Sequence, residues 1–195
     1  MKCGTCCSIP KNIQEDYIKR IPLYPEEVDE LIKIAENRKI PLKVKEDLVF
    51  PDILNNNILV LTYRFILNNS GFCIFHDKEK GCTIQDCKPL ACKAFPLAIK
   101  RVDAFNLEIS IDPSCKWIEN HYDLLKNADI EMIKEIFSGE FKKAERFLRK
   151  NKKLQLKIKK MEYEKKIKIS RQISIENFNK YLQEWDREEI TTKKE

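Results

Sequence analysis

The chain has 195 residues, of which 43% are hydrophobic and 35% charged, with a formal net charge of +6. That is enough for one domain with a modest core, plus an appendage. No run of about 18 apolar residues occurs, so neither a membrane-spanning helix nor a membrane partner is expected. The first residues carry no apolar stretch of signal-peptide type, so a cytoplasmic location with reduced thiols is expected.

Cys3, Cys6 and Cys7 open the chain around Gly4, a residue that accepts the sharp turn of a metal knuckle. Residues 8–12 form a turn-rich exit. Pro25 suits a first helical position, and Glu26 and Glu27 suit a first turn. With Val28, Leu31, Ile32 and Ala35 at helical spacing, they predict an amphipathic helix over 25–38. After a turn at Asn55–Asn57, the β-branched and aromatic run 58–65 predicts a strand. A second short strand is expected over 72–76, and residues 77–81 turn the chain back to Cys82. From Cys82 to Cys92 the chain reads as a short irregular or helical segment broken by Pro89. Residues 98–100 and 105–111 predict two more strands, and Asp112 to Cys115 a turn that presents a thiol.

Beyond Trp117 the character changes. Asp129 suits the cap of a helix carrying Ile130, Ile133 and Phe137 and ending at Ser138 and Gly139. A second helix is expected over 140–150. Residues 152–172 fit either strand alternation or a helical face. Ser174 suits the cap of a last helix with Phe178, Tyr181, Leu182 and Trp185 on one stripe, and 191–195 read as a disordered tail. Residues 142–171 hold fourteen Lys/Arg against three acidic residues, so a basic segment follows a mildly acidic, cysteine-bearing body. The expected fold is α+β. A small cysteine-rich metal-binding domain with a short antiparallel sheet spans 1–117, and a mainly helical, basic extension spans 118–195.

All eight cysteines are candidate metal ligands: Cys3, Cys6, Cys7, Cys73, Cys82, Cys87, Cys92 and Cys115. Neighbouring Cys6 and Cys7, and the length of the chain, argue against a secreted disulfide framework. Adjacent side chains diverge, so Cys6 and Cys7 serving one ion is awkward, and a cluster or two nearby ions would use them more naturally. Cys73 and Cys82 end a hairpin-like excursion that can set two thiols side by side. Cys115 stands apart, either a ligand or a buried small hydrophobe. His76 reads as a solvated strand-end histidine, with ligation as the alternative.

In order and spacing these strings resemble the cysteine-cluster proteins of the YkgJ type, a zinc- or iron-chelating domain. That family's pattern is Cys-x3-Cys-x2-Cys-Cys near the N-terminus, then an acidic helix start, two central cysteines, an Arg-Pro-x-x-Cys-Arg-x-Phe-Pro string and a final cysteine. Here Cys3, Cys6 and Cys7 match the end of the first motif, and Glu26, Glu27 and Asp29 the helix start. Cys73 and Cys82 match the central pair, and Lys88 to Pro96 matches the most distinctive string, with lysine for arginine. The resemblance covers about residues 3–117. It departs in two places: the first cysteine of the pattern would lie ahead of Met1, and Cys87 stands where the pattern asks for none. Cys87 supplying a substitute thiolate and Cys87 as an incidental thiol are both open.

An all-cysteine ligand set argues against magnesium and calcium and leaves an iron–sulfur cluster or zinc as the cofactor. The paired Cys6 and Cys7 tilt the reading toward iron–sulfur. The expected function is thiolate metal binding. Two alternatives remain: a zinc-stabilised nucleic-acid-binding module using the basic segment 142–171, and a redox or methyl-transfer enzyme, since some members of the resembled family are related to flagellin lysine methylases. A solvated helix face is the simpler account of the basic segment. No glycine-rich phosphate cradle and no serine–histidine–acid set is legible, and catalytic residues are not assigned.

Overall fold

The computed structural model describes residues 4–8 and 21–192. Cys3, most of the exit turn expected over 8–12, and residues 193–195 of the expected disordered tail lie outside the described residues. The fold is mixed α+β, built from helices and short sheets. It divides into two compact units interleaved along the chain, Met1–Ile21 with Ile66–Arg149, and Pro22–Phe65 with Lys150–Glu195. Among the described residues, no helix is long and apolar enough to cross a membrane.

The unit without cysteines is built on a three-stranded sheet. Helix α1 (Pro25–Asn37) begins as its sequence dictates: Pro25 needs no backbone donor there, and the Glu27 carboxylate accepts from the Tyr24 N–H at 2.9 Å. Val28, Leu31 and Ala35 are buried, whereas Ile32 stays 40% exposed. Strand β1 (Val44–Asp52) pairs antiparallel with β2 (Asn57–Phe65). The run Ile58–Leu61 of β2 is almost fully buried, as a central strand requires. Strand β1 escapes sequence reading because Lys45, Glu46, Asp47 and Pro51 interrupt it. As an edge strand with register shifts near Leu48 it tolerates all four.

The ambiguous stretch 152–172 resolves into the end of one long helix and an extended segment. Helix α6 (Ser138–Tyr163) runs for 26 residues and absorbs the separate helix expected over 140–150. Leu154 and Ile158 are buried on its helical face, so the 3.6-residue period prevails over the strand-like alternation. Helix α7 (Ile175–Glu184) is capped by the Ser174 hydroxyl, which accepts from the Asn177 N–H, as expected. Trp185 stacks on Tyr181 with ring centroids 3.8 Å apart. The chain then adds β7 (Asp186–Glu189) parallel to β2, a strand of four charged residues with no sequence signal. The Arg187 guanidinium meets the Glu46 carboxylate at 2.8 Å, and the Tyr63 hydroxyl donates to Glu189 at 2.6 Å.

The cysteine-bearing unit carries little regular structure around its thiols. Strands β3 (His76–Asp77) and β4 (Gly81–Cys82) form a two-residue antiparallel ladder; the strand expected over 72–76 does not form, since residues 74–75 make a turn and β3 begins only at His76. Helix α2 (Leu90–Ala94) starts directly after Pro89, and the two expected strands, β5 (Leu97–Arg101) and β6 (Leu107–Ile111), pair as a hairpin. Two short helices, α3 (Lys116–Asn120) and α4 (Tyr122–Leu125), precede α5 (Ile130–Ile136), where the Asp129 carboxylate accepts from the Met132 N–H at 2.9 Å. Ala94, Leu97, Ile118, Ile133, Phe137, Phe141 and Ala144 form the apolar core of this unit.

Candidate metal centre

A left-handed glycine starts the site. Gly4 adopts φ 70° ahead of a 3-10 turn, Thr5–Cys7, which closes with the Cys7 N–H donating to the Gly4 carbonyl at 2.8 Å. This turn is fastened beside the central segment. The Cys73 N–H donates to the Cys7 carbonyl at 2.6 Å, and Ser8 bridges to Phe72. Two more turns complete the frame. Asp77 accepts from the Glu79 and Lys80 N–H groups, and Gly81, at φ 75°, returns the chain so that Cys82 lies opposite His76. The backbone thus brings together thiols from positions about 65–75 residues apart in sequence.

Cys7 is the centre of the thiol group. Its side chain is hydrogen-bonded to Cys6, Cys73 and Cys82, and its thiol is pushed far up by those three contacts and by burial. The Cys6 and Cys7 sulfurs are 3.6 Å apart. Cys6 is lowered to about 6, chiefly by its bond to Cys7, against burial, with help from the Lys88 ammonium. Cys82 is likewise lowered to about 6 by Cys7, with support from the Ile84 backbone, Lys88 and His76. Cys73 is lowered by Cys7 as well. Cys92, on α2, is pushed up, first by burial of its thiol and then by the negative charge on Cys73, Cys6 and Cys82. Cys7 is thus the thiol that keeps its proton most firmly, beside thiols its contacts lower and a lysine that favours their charged form.

Among the eight candidates, Cys6, Cys7, Cys73, Cys82 and Cys92 act on one another. Cys87 is exposed, on the turn where its N–H donates to the Ile84 carbonyl. Cys115 is buried in the apolar core with Ala94, Leu97 and Ile118 and starts α3. Cys3 lies outside the described residues. His76, read as a solvated strand-end histidine, is half-buried opposite Cys82: its Nε2 is buried and has no hydrogen-bond partner. The ring stacks on Phe72 with centroids 5.0 Å apart, and a side chain at Gly4 would collide with it. Its spacing three residues after Cys73 was the available signal; the burial of Nε2 was not legible.

The donor set fits a thiophilic metal. Metal–thiolate bonds of about 2.3 Å in a tetrahedron give sulfur–sulfur edges of about 3.8 Å. The 3.6 Å separation of Cys6 and Cys7 is close to that edge, so the divergence expected of neighbouring side chains does not keep both from one metal atom. Among the described residues, no three His, Cys, Asp or Glu side chains already stand as a ligand shell. The thiols are bonded to each other, and metal binding requires loss of the proton on Cys7.

No curated protein and no solved structure matches the chain. Residues 1–119 match the family model CxxCxxCC, described as a putative zinc- or iron-chelating domain, and that span contains the whole thiol group. The chain belongs to the CxxCxxCC family.

Proposed function

We propose that the chain chelates a single zinc ion through thiolates drawn from Cys6, Cys7, Cys73, Cys82 and Cys92. The observation that carries this reading is the close pair of sulfurs, Cys6 and Cys7 at 3.6 Å, within a group bonded through Cys7. Four irons in a cube each take a separate cysteine, which spreads the ligands, whereas one tetrahedral ion takes neighbouring sulfurs along its edges. Bound zinc would supply a closed cross-link between the Thr5–Cys7 turn, the β3–β4 ladder and α2, without redox chemistry. Lys88 would compensate the negative charge of a thiolate-rich shell.

A second reading, a two-iron cluster, takes four cysteines as one zinc ion does and is favoured by the adjacent Cys6 and Cys7 sulfurs. Two cysteines sharing one iron of such a cluster would also accept the Cys6–Cys7 spacing. Anaerobic purification followed by metal analysis and an absorption spectrum separates the two. A colourless protein with one zinc per chain is expected. Iron with equimolar sulfide and visible absorption would replace zinc with the cluster, and absence of both metals after reduction and reloading would remove the chelating function.

A further inference from the structure

We propose that His76 is a ligand of the metal held by this thiol group, binding through Nε2 beside Cys82. The proposal rests on the chelating function above and adds a nitrogen donor to a site whose other donors are sulfur. Three independent observations carry it.

Among the described residues, His76 Nε2 is the one buried side-chain nitrogen or oxygen without a hydrogen-bond partner. A buried imidazole nitrogen left unpaired is a standing cost to the fold, and such groups call for a specific explanation. A metal ion satisfies that nitrogen, and neutral imidazole is a common partner of thiolates in tetrahedral zinc sites.

The position is the second observation. His76 and Cys82 are directly opposed in the β3–β4 ladder, and opposed residues of an antiparallel pair project to the same face. His76 is among the groups that act on the Cys82 thiol. His76 and Cys82 are thereby offered to a common ion from one small ladder.

The third observation is the way the ring is held. Phe72 stacks on one side at 5.0 Å, and the His76 N–H donates to the Cys73 carbonyl at 2.9 Å, fixing the turn that carries the ring. Gly4 approaches the ring at its Nε2 edge, where a Cβ would collide with Nε2 and lie 2.9 Å from both Cδ2 and Cε1. Gly4 therefore has two tasks: the left-handed turn ahead of Cys6 and Cys7, and room for the imidazole. A solvated strand-end histidine would require neither the stack nor the close glycine.

The test uses the full chain, reduced and loaded with zinc(II), and reads the zinc environment by X-ray absorption. Wild-type protein is expected to show the outer-shell scattering of one imidazole together with sulfur. In His76→Cys that imidazole signature should vanish while zinc stays bound in an all-sulfur shell. His121→Ala should keep the signature, since His121 is stacked on Trp117 at 4.1 Å and bonded to its carbonyl. His76→Ala, checked for folding by circular dichroism, should lose the signature and bind zinc more weakly. An all-sulfur shell in wild-type protein, or an imidazole signature that persists in His76→Cys, overturns the proposal and leaves thiolate chelation standing. A wild-type chain that takes up no zinc removes the chelating function, and the role of His76 with it.

Discussion

Cys7 is a different residue in the structure from the one its position in the sequence suggests. In sequence it is the third thiol of a knuckle; in space it touches Cys6, Cys73 and Cys82 and is pushed up where they are lowered. With Cys6 and Cys82 lowered to about 6, both are thiolates at neutral pH and take up protons only as the pH falls below that value. In metal-free protein, iodoacetamide labelling of Cys6 and Cys82, followed by peptide mass spectrometry, should be on a plateau above pH 7. It should drop steeply below about pH 6. Cys92, pushed up by burial, should label slowly throughout, and labelling of Cys6 and Cys82 that half-titrates near an ordinary thiol value would contradict the geometry. Gly4→Ala should weaken zinc binding in chelator competition, since it strains φ 70° and displaces the His76 ring. Away from the site, the fully buried Asp52 carboxylate accepts from the Leu54 N–H at 3.0 Å and the Lys168 N–H at 2.8 Å. Asp52→Ala leaves those donors unpaired and should cost about 3 kcal/mol or more in urea unfolding.

At the scale of elements, legibility followed local signal. Helix α1, the caps Asp129 and Ser174, and the β5–β6 hairpin were legible because each carries its own periodicity or capping residue. Strands β1 and β7 were not. Their charged residues sit on sheet edges, where tertiary pairing with β2 overrides composition. Helix α6 is an intermediate case, because its Lys-rich surface hides a short apolar stripe. Leu154→Ala, at a position 2% exposed, should destabilise by about 2–5 kcal/mol in urea unfolding. Several cations of the basic segment are already engaged. Lys150 meets Glu26 at 2.6 Å and lies over the Tyr24 ring at 3.5 Å, and Arg171 meets Glu162 at 2.9 Å. Lys150 and Arg171 therefore act within the fold.

For the molecule as a whole, the two compact units make separate predictions. The thiol group lies in one of them, among turns and a two-residue ladder that few backbone bonds hold. Binding to the folded form alone stabilises it by mass action, so chelating the zinc should increase amide exchange over 72–92. The buried β2 amides of the other unit should be unchanged by mass spectrometry. Equal loss of protection in both would show the site to support the entire chain. The sequence alone determined the chemistry: clustered thiols, a glycine turn and the family pattern are local features written in residue order and spacing. Only the tertiary structure decided which thiols meet. A backbone bond between distant segments sets Cys7 beside Cys73, while Cys6, Cys82 and Cys92 act on the same group; Cys115 enters an apolar core, and the His76 Nε2 is buried against Gly4. Those placements depend on long-range packing, which residue spacing does not encode.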